Sequence, residues 1–223
     1  MSASSAQKAV IFDLDGVLTD TAHYHFLAWK HIAEQVGVHF DEESNEQLKG
    51  IDRLNSLKFI LDQSEQRFSE QEFLALAEQK NKHYQSLISN MKPQDVFPGV
   101  RDLLASLRSD DFALGVASVS KNALFVLDKI ALIKDFDFVA DAAKIKNTKP
   151  HPEIFLTVAQ ALSIAPESCV GIEDASAGVT AIKAANMPAI GVGSAEQLGH
   201  ADEIVAKTGD ITLGQILRLL NQL

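Results

Sequence analysis

In Lys8-Ala9-Val10-Ile11-Phe12-Asp13-Leu14-Asp15-Gly16-Val17, four apolar residues in a row, 9–12, lead into two aspartates one residue apart. A short run without polar alternation describes a strand covered on both faces, as in the middle of a parallel sheet. Gly16 then supplies a turn, which can aim the second carboxylate differently from the first. Working outward, residues 21–91 read as helices only, over 22–36, 42–48, 53–61 and 69–88, with Gly37, Gly50 and Ser64 near the breaks. After Pro93 and Pro98 the pattern alternates. Apolar runs at 112–117, 136–140, 169–172 and 189–192 are separated by helical stretches at 100–108, 122–130, 153–162 and 175–185. Such alternation predicts an α/β fold: a doubly wound parallel sheet, Rossmann-like, carrying an inserted helical unit. We expect residues 1–18 and 92–223 to form the core and 19–91 the insertion.

In a doubly wound sheet the ligand site lies beyond the carboxyl ends of the strands, where the strand order reverses. The polar residues after each apolar run should therefore converge. These are Asp13 and Asp15, then Ser118 and Ser120, then Glu173 and Asp174, with Lys149 from a loop. Two aspartates in this arrangement suit a nucleophile and a proton shuttle. Asp13, Glu173 and Asp174 would repel one another unless a cation sat among them, and hard carboxylate oxygens suit magnesium. Ser118 can donate to a phosphoryl oxygen and Lys149 can place a positive charge on a transferring group.

The composition narrows the function classes. The chain has 223 residues, 46% of them hydrophobic, and a net charge of −10. That charge opposes non-specific nucleic-acid binding, which rewards clustered positive charge. No run approaches the roughly 20 apolar residues of a membrane span. Residues 1–7 lack the basic start and apolar stretch of a secretory leader, so a cytoplasmic protein is expected. Cys169, the lone cysteine, opens an apolar run and reads as a small core residue.

Asp13-Leu14-Asp15-Gly16-Val17, Ser118, Lys149-Pro150 and Gly171-Ile172-Glu173-Asp174 together resemble the four ordered motifs of the haloacid dehalogenase superfamily. The resemblance implies that Asp13 attacks phosphorus, that Asp15 is general acid and base, and that Ser118 and Lys149 hold the transferring phosphoryl group. It implies Mg2+ bound by the Asp13 side chain, the Asp15 backbone carbonyl and Asp174, with Glu173 close by or ligating. Asp15 argues against a dehalogenase, whose reaction has no leaving alcohol to protonate.

The insertion is similar to the small helical cap of subclass I members, and to the sugar-phosphate mutases among them in particular. Thr19-Asp20-Thr21-Ala22, His25-Phe26, Ala28-Trp29, 45–51 with Arg53, and Lys80-Asn81 carry that similarity, extended by 118–122. By it, Arg53 grips the phosphate that is not transferred, assisted by Ser120 and Asn122. His25, Lys49, Gly50 and Lys80 orient the sugar and the proton shuttle, while Trp29 and Val119 line the substrate site. For Trp29, four residues from His25 on one helix face, packing is the competing reading. Two features depart from the motifs: Val119 stands where a smaller residue is usual, and the loop 142–148 carries Lys144 and Lys146. The resemblance implies a mutase moving a phosphoryl group between C1 and C6 of β-glucose phosphates through an aspartyl-phosphate and a 1,6-bisphosphate. The alternative is a sugar-phosphate phosphatase on the same fold. Small sugar phosphates are the expected partners, with no nucleic acid, no membrane and a monomeric chain.

Overall fold

The computed structural model describes residues 8–221; the reading of 1–7 as free of a leader lies outside them. In chain order the strands and helices are β1 (Ala9–Phe12), α1 (Ala22–Gln35), α2 (Glu42–Glu46), α3 (Arg53–Leu61), α4 (Glu70–Ile88) and α5 (Val100–Ser109). Next come β2 (Ala113–Val116), α6 (Ala123–Lys129), β3 (Phe138–Val139), α7 (Glu153–Leu162) and β4 (Cys169–Glu173). The chain ends with α8 (Ser176–Ala184), β5 (Ala189–Val192), α9 (Ala195–Leu198), β6 (Glu203–Val205) and α10 (Leu213–Leu220).

Two compact units result, one from residues up to Asp20 and from Lys92 onward, the other from Thr21 to Met91. The sequence placed the boundary two residues earlier, after Leu18. Thr19 explains the difference. It bridges to Asp15 and to Val96, and its hydroxyl donates to the Asp95 carbonyl at 2.6 Å, so three local attachments hold it in the first unit.

The first unit is the expected parallel sheet, in the order β3-β2-β1-β4-β5-β6. Strand order reverses at β1, which lies between β2 and β4. Ala9 and Ile11 point into a cluster with Ile154, Phe155 and Val158 of α7 and Val179, Ala181 and Ile182 of α8. Alternation sends Val10 and Phe12 to the other face, where α5 and α10 lie. Both faces are therefore covered, which is why β1, β2 and β4 are buried along their whole length.

The second unit is four helices around a core of Trp29, Ile32, Ala33, Leu57, Ile60 and Ala77. Local signals set its helix ends. Asp41 accepts from the Ser44 N–H, Asp52 from those of Leu54 and Asn55, and Ser69 forms a reciprocal capping box with Glu72.

Candidate active site

Sheet register brings the polar residues together. Phe12 is level with Val116 on one side and Ile172 on the other. The residues that follow, Asp13, Ala117 and Glu173, thus emerge side by side, and the pairing continues as Asp13 N–H donates to the Ile172 carbonyl (2.9 Å) and Ala117 N–H to the Phe12 carbonyl (2.8 Å). A slip of one residue would turn every one of these side chains to the wrong face.

Asp13 is nearly buried and each of its oxygens has a donor. Lys149 Nζ lies 2.5 Å from Oδ1 and the Asp15 N–H donates to Oδ2 at 2.9 Å. Lys149, whose side chain is fully buried, also reaches Glu173 Oε2 at 2.8 Å. The second Glu173 oxygen accepts from the backbone N–H groups of Asp174 (3.2 Å) and Ala175 (3.1 Å). Ser118 is 0% exposed. Its hydroxyl lies 3.5 Å from Asp15 Oδ2, at the outer limit of a hydrogen bond. A ladder of turns extends from it: Ser120 N–H donates to Ser118 Oγ, and Asn122 N–H to Ser120 Oγ. Val119 is half-buried and packs against the core cluster.

Two glycines make room for the carboxylates. At Gly16, with φ of +85°, a Cβ would lie 2.1 Å from Asp174 Oδ2. At Gly178 in the first turn of α8 it would lie 2.0 Å from Glu173 Oε2. Gly16 was expected to turn the chain; the close approach at Gly178 has no signature in sequence beyond a small residue inside a helix.

The electrostatics follow from one ammonium buried among several carboxylates. Burial alone would push Lys149 down, but the charges of Asp13 and Glu173 outweigh it and hold the amine above the ordinary lysine range. It stays an ammonium. Glu173 is pushed up to about 7, first by burial and then by the Asp13 charge, while Lys149 pulls the other way. Asp13, Glu173 and Asp174 each offer an oxygen, all within 4.8 Å of one another, and form the one such acidic group among the described residues. The donor set is all carboxylate and exceeds the local positive charge, which fits a hard divalent cation.

Among the expected residues of the helical unit, His25, Trp29 and Lys80 lie together. Lys80 is 2% exposed, its Nζ 2.8 Å from His25 Nδ1 and 4.4 and 4.8 Å from the ring centres of Trp29 and Tyr84. An ammonium only donates, so His25 accepts at Nδ1 and carries its proton at Nε2. Burial, and then the Lys80 charge, lower the His25 pKa well below its ordinary value, consistent with a neutral ring. Trp29 is 2% exposed in the core of this unit. Its ring packs in the core, as the competing reading expected, and supports the Lys80 ammonium by a cation–π contact. Lys49 pairs with Glu46 at 2.9 Å, and Gly50 has φ of +72°. Arg53 opens α3, and one of its guanidinium nitrogens is buried with no hydrogen-bond partner among the described residues.

A sequence profile of haloacid dehalogenase-like hydrolases matches residues 10–192. The chain belongs to the haloacid dehalogenase-like hydrolase family. Within the family it is 49% identical over 208 residues to the β-phosphoglucomutase of Bacillus subtilis, covering 92% of each chain. It is 33% identical to a phosphorylated carbohydrates phosphatase of Thermotoga maritima, over 82% of this chain and 83% of the other. A crystal structure of the Clostridium difficile β-phosphoglucomutase superposes with a TM-score of 0.93 at 46% identity, covering 96% of this chain and 97% of that one. Haloacid dehalogenase-like membership agrees with the order Asp13-x-Asp15, Ser118, Lys149 and Glu173-Asp174 along the chain.

Proposed function

We propose that this chain is a β-phosphoglucomutase, an isomerase that interconverts β-D-glucose 1-phosphate and D-glucose 6-phosphate through glucose 1,6-bisphosphate. The observation that carries the chemistry is the Lys149 ammonium 2.5 Å from the Asp13 carboxylate with Asp15 two residues on; the 49% identity over 92% of both chains carries the substrate. The cycle starts with Asp13 phosphorylated. The C6 hydroxyl of β-glucose 1-phosphate attacks phosphorus, Asp15 takes its proton, and the bond from phosphorus to Asp13 breaks. After the bisphosphate turns around, Asp13 attacks the C1 phosphoryl group. The bond from phosphorus to the C1 oxygen breaks and Asp15 returns the proton to that oxygen. Lys149 and Ser118 hold the equatorial oxygens of the transferring group, where charge develops.

Asp13, Asp174 and the Asp15 backbone carbonyl would hold Mg2+, with Glu173 alongside. When bound, magnesium neutralises phosphate and attacking carboxylate together, so that two anions can approach. Small sugar phosphates are the partners, and we place the protein in the cytoplasm on composition; among the described residues no helix is long and apolar enough to cross a membrane.

A mutase must also hold the phosphate that is not being transferred, which a phosphatase need not. Arg53, with a buried guanidinium nitrogen and no partner for it among the described residues, is the proposed grip, assisted by Ser120 and Asn122. Losing a charge-assisted contact to phosphate costs on the order of 1.5 to 3 kcal/mol, about ten- to hundred-fold in rate. Arg53→Ala should lose that much mutase turnover. Phosphorylation of Asp13 by acetyl phosphate, which has no second phosphate, should change far less. Measuring both rates on one purified variant is the test: a parallel fall would make Arg53 a support of the fold, and no fall would leave it a helix-start cation.

A further inference from the structure

Lys149 sits on a loop without regular structure from residue 145 to the start of α7. Its Nζ is nonetheless held to within hydrogen-bond distance of two carboxylates. Side-chain contacts at the tip of a flexible four-carbon stem do not fix a backbone, so something else must set where the stem begins. Glu153 holds that backbone directly. Its Oε1 accepts from the Lys146 N–H at 2.8 Å, and its Oε2 accepts from the Asn147 N–H at 2.9 Å and the Asn147 side-chain amide at 2.8 Å. The loop closes further as His151 N–H donates to the Thr148 carbonyl and Glu153 N–H to His151 Nδ1.

Glu153 can act as an anchor because its own backbone is fixed. It begins α7, and the next two residues, Ile154 and Phe155, are fully buried against the sheet. The Phe155 ring lies 5.1 Å from Lys149 Nζ. One turn of a well-packed helix thus holds the loop on one side of Lys149 and cushions the ammonium on the other. The hydrogen bond from Lys146 N–H is the largest of the influences that lower the Glu153 pKa, so the clamp is an ionised carboxylate at neutral pH.

We propose that Glu153 is a positioning residue for phosphoryl transfer, clamping the backbone at 146–147 so that Lys149 enters the Asp13 carboxylate at a fixed height. This rests on Asp13 being the nucleophile, but not on the choice between mutase and phosphatase. A merely structural Glu153 would stabilise the loop equally whether or not Lys149 carries its ammonium. A positioning Glu153 has no effect on transfer once that ammonium is gone.

The experiment is a double-mutant cycle on the whole chain, reading the rate at which acetyl phosphate phosphorylates Asp13 by intact-mass spectrometry. Glu153→Ala should slow the reaction about ten-fold, the scale of one charge-assisted hydrogen bond. Glu153→Gln, which keeps the shape and an acceptor oxygen, should fall between it and the parent and guards against a variant that fails to fold. In a Lys149→Ala background, followed over hours, Glu153→Ala should change the rate by less than about two-fold, because coupled residues are not additive. A rate for Glu153→Ala within about two-fold of the parent, or an equal loss in both backgrounds, overturns the proposal. If the parent itself takes no phosphate on Asp13, the nucleophile assignment has failed instead.

Discussion

Asp13→Asn is expected to lower turnover by at least about 10³-fold while the protein still folds, because an amide oxygen does not attack phosphorus and covalent catalysis has no second route here. The substitution preserves shape and leaves an oxygen able to accept from Lys149 Nζ, which now stands 2.5 Å from Oδ1. What changes is one charge in a cluster that has more negative than positive groups. Melting should shift by no more than about 5 °C, the scale of one net hydrogen bond in a domain of this size. Activity and a thermal melt on the same preparation check both halves. A variant that keeps a tenth of parental turnover would show that another group attacks.

Lys149→Met should damage both catalysis and the fold. Among the described residues the ammonium is the one cation paired with both Asp13 and Glu173, and its side chain is fully buried. Removing one partner of a buried ion pair typically costs about 3 to 5 kcal/mol, because the remaining charges lose their compensation. Glu173, already pushed up to about 7, can take a proton at modest cost, so the loss should fall at the lower end of that range. The phosphoryl group would also lose its charged ligand, worth about 10²- to 10³-fold in rate for a preorganised donor. Urea unfolding gives the stability change and Asp13 phosphorylation the rate. Full stability with a large loss of rate would make Lys149 purely catalytic; the reverse would make it a structural counter-ion.

The catalytic half of the site was legible in sequence for a definite reason. Asp13, Ser118 and Glu173 follow continuous apolar runs, and a doubly wound sheet sends whatever follows such runs to one edge. Lys149 was legible only through its motif, since nothing in the pattern around it forms an element. Glu153 was not singled out, because an acidic residue at a helix start is ordinary, and only the folded loop reveals that its carboxylate takes three donors. Phe138–Val139 is shorter than the apolar run 136–140 because only two residues pair with β2. β6 was missed because Glu203-Ile204-Val205 is three residues long and begins with a charge, so the pairing with β5 makes it a strand where composition does not.

Trp29 marks a different limit. Helical spacing places it on one face with His25 but does not say whether that face is core or substrate, and only the fold shows the ring packed in the core of the helical unit at 2% exposure. Arg53 reads in sequence as a solvated helix-start cation, and as a phosphate ligand only through the resemblance; its buried guanidinium nitrogen is a feature that a fully solvated cation lacks.

Turnover as a mutase requires that the phosphoryl group Asp13 takes from C1 of one sugar be passed to C6 of the next. The most direct measurement is glucose 6-phosphate formation from β-glucose 1-phosphate, with magnesium and a trace of glucose 1,6-bisphosphate, run beside the α anomer and beside an assay for free phosphate. A mutase should form glucose 6-phosphate rapidly from the β anomer, at least about 10²-fold more slowly from the α anomer, and release little free phosphate. Equal rates from the two anomers, or release of inorganic phosphate in place of glucose 6-phosphate, would contradict it.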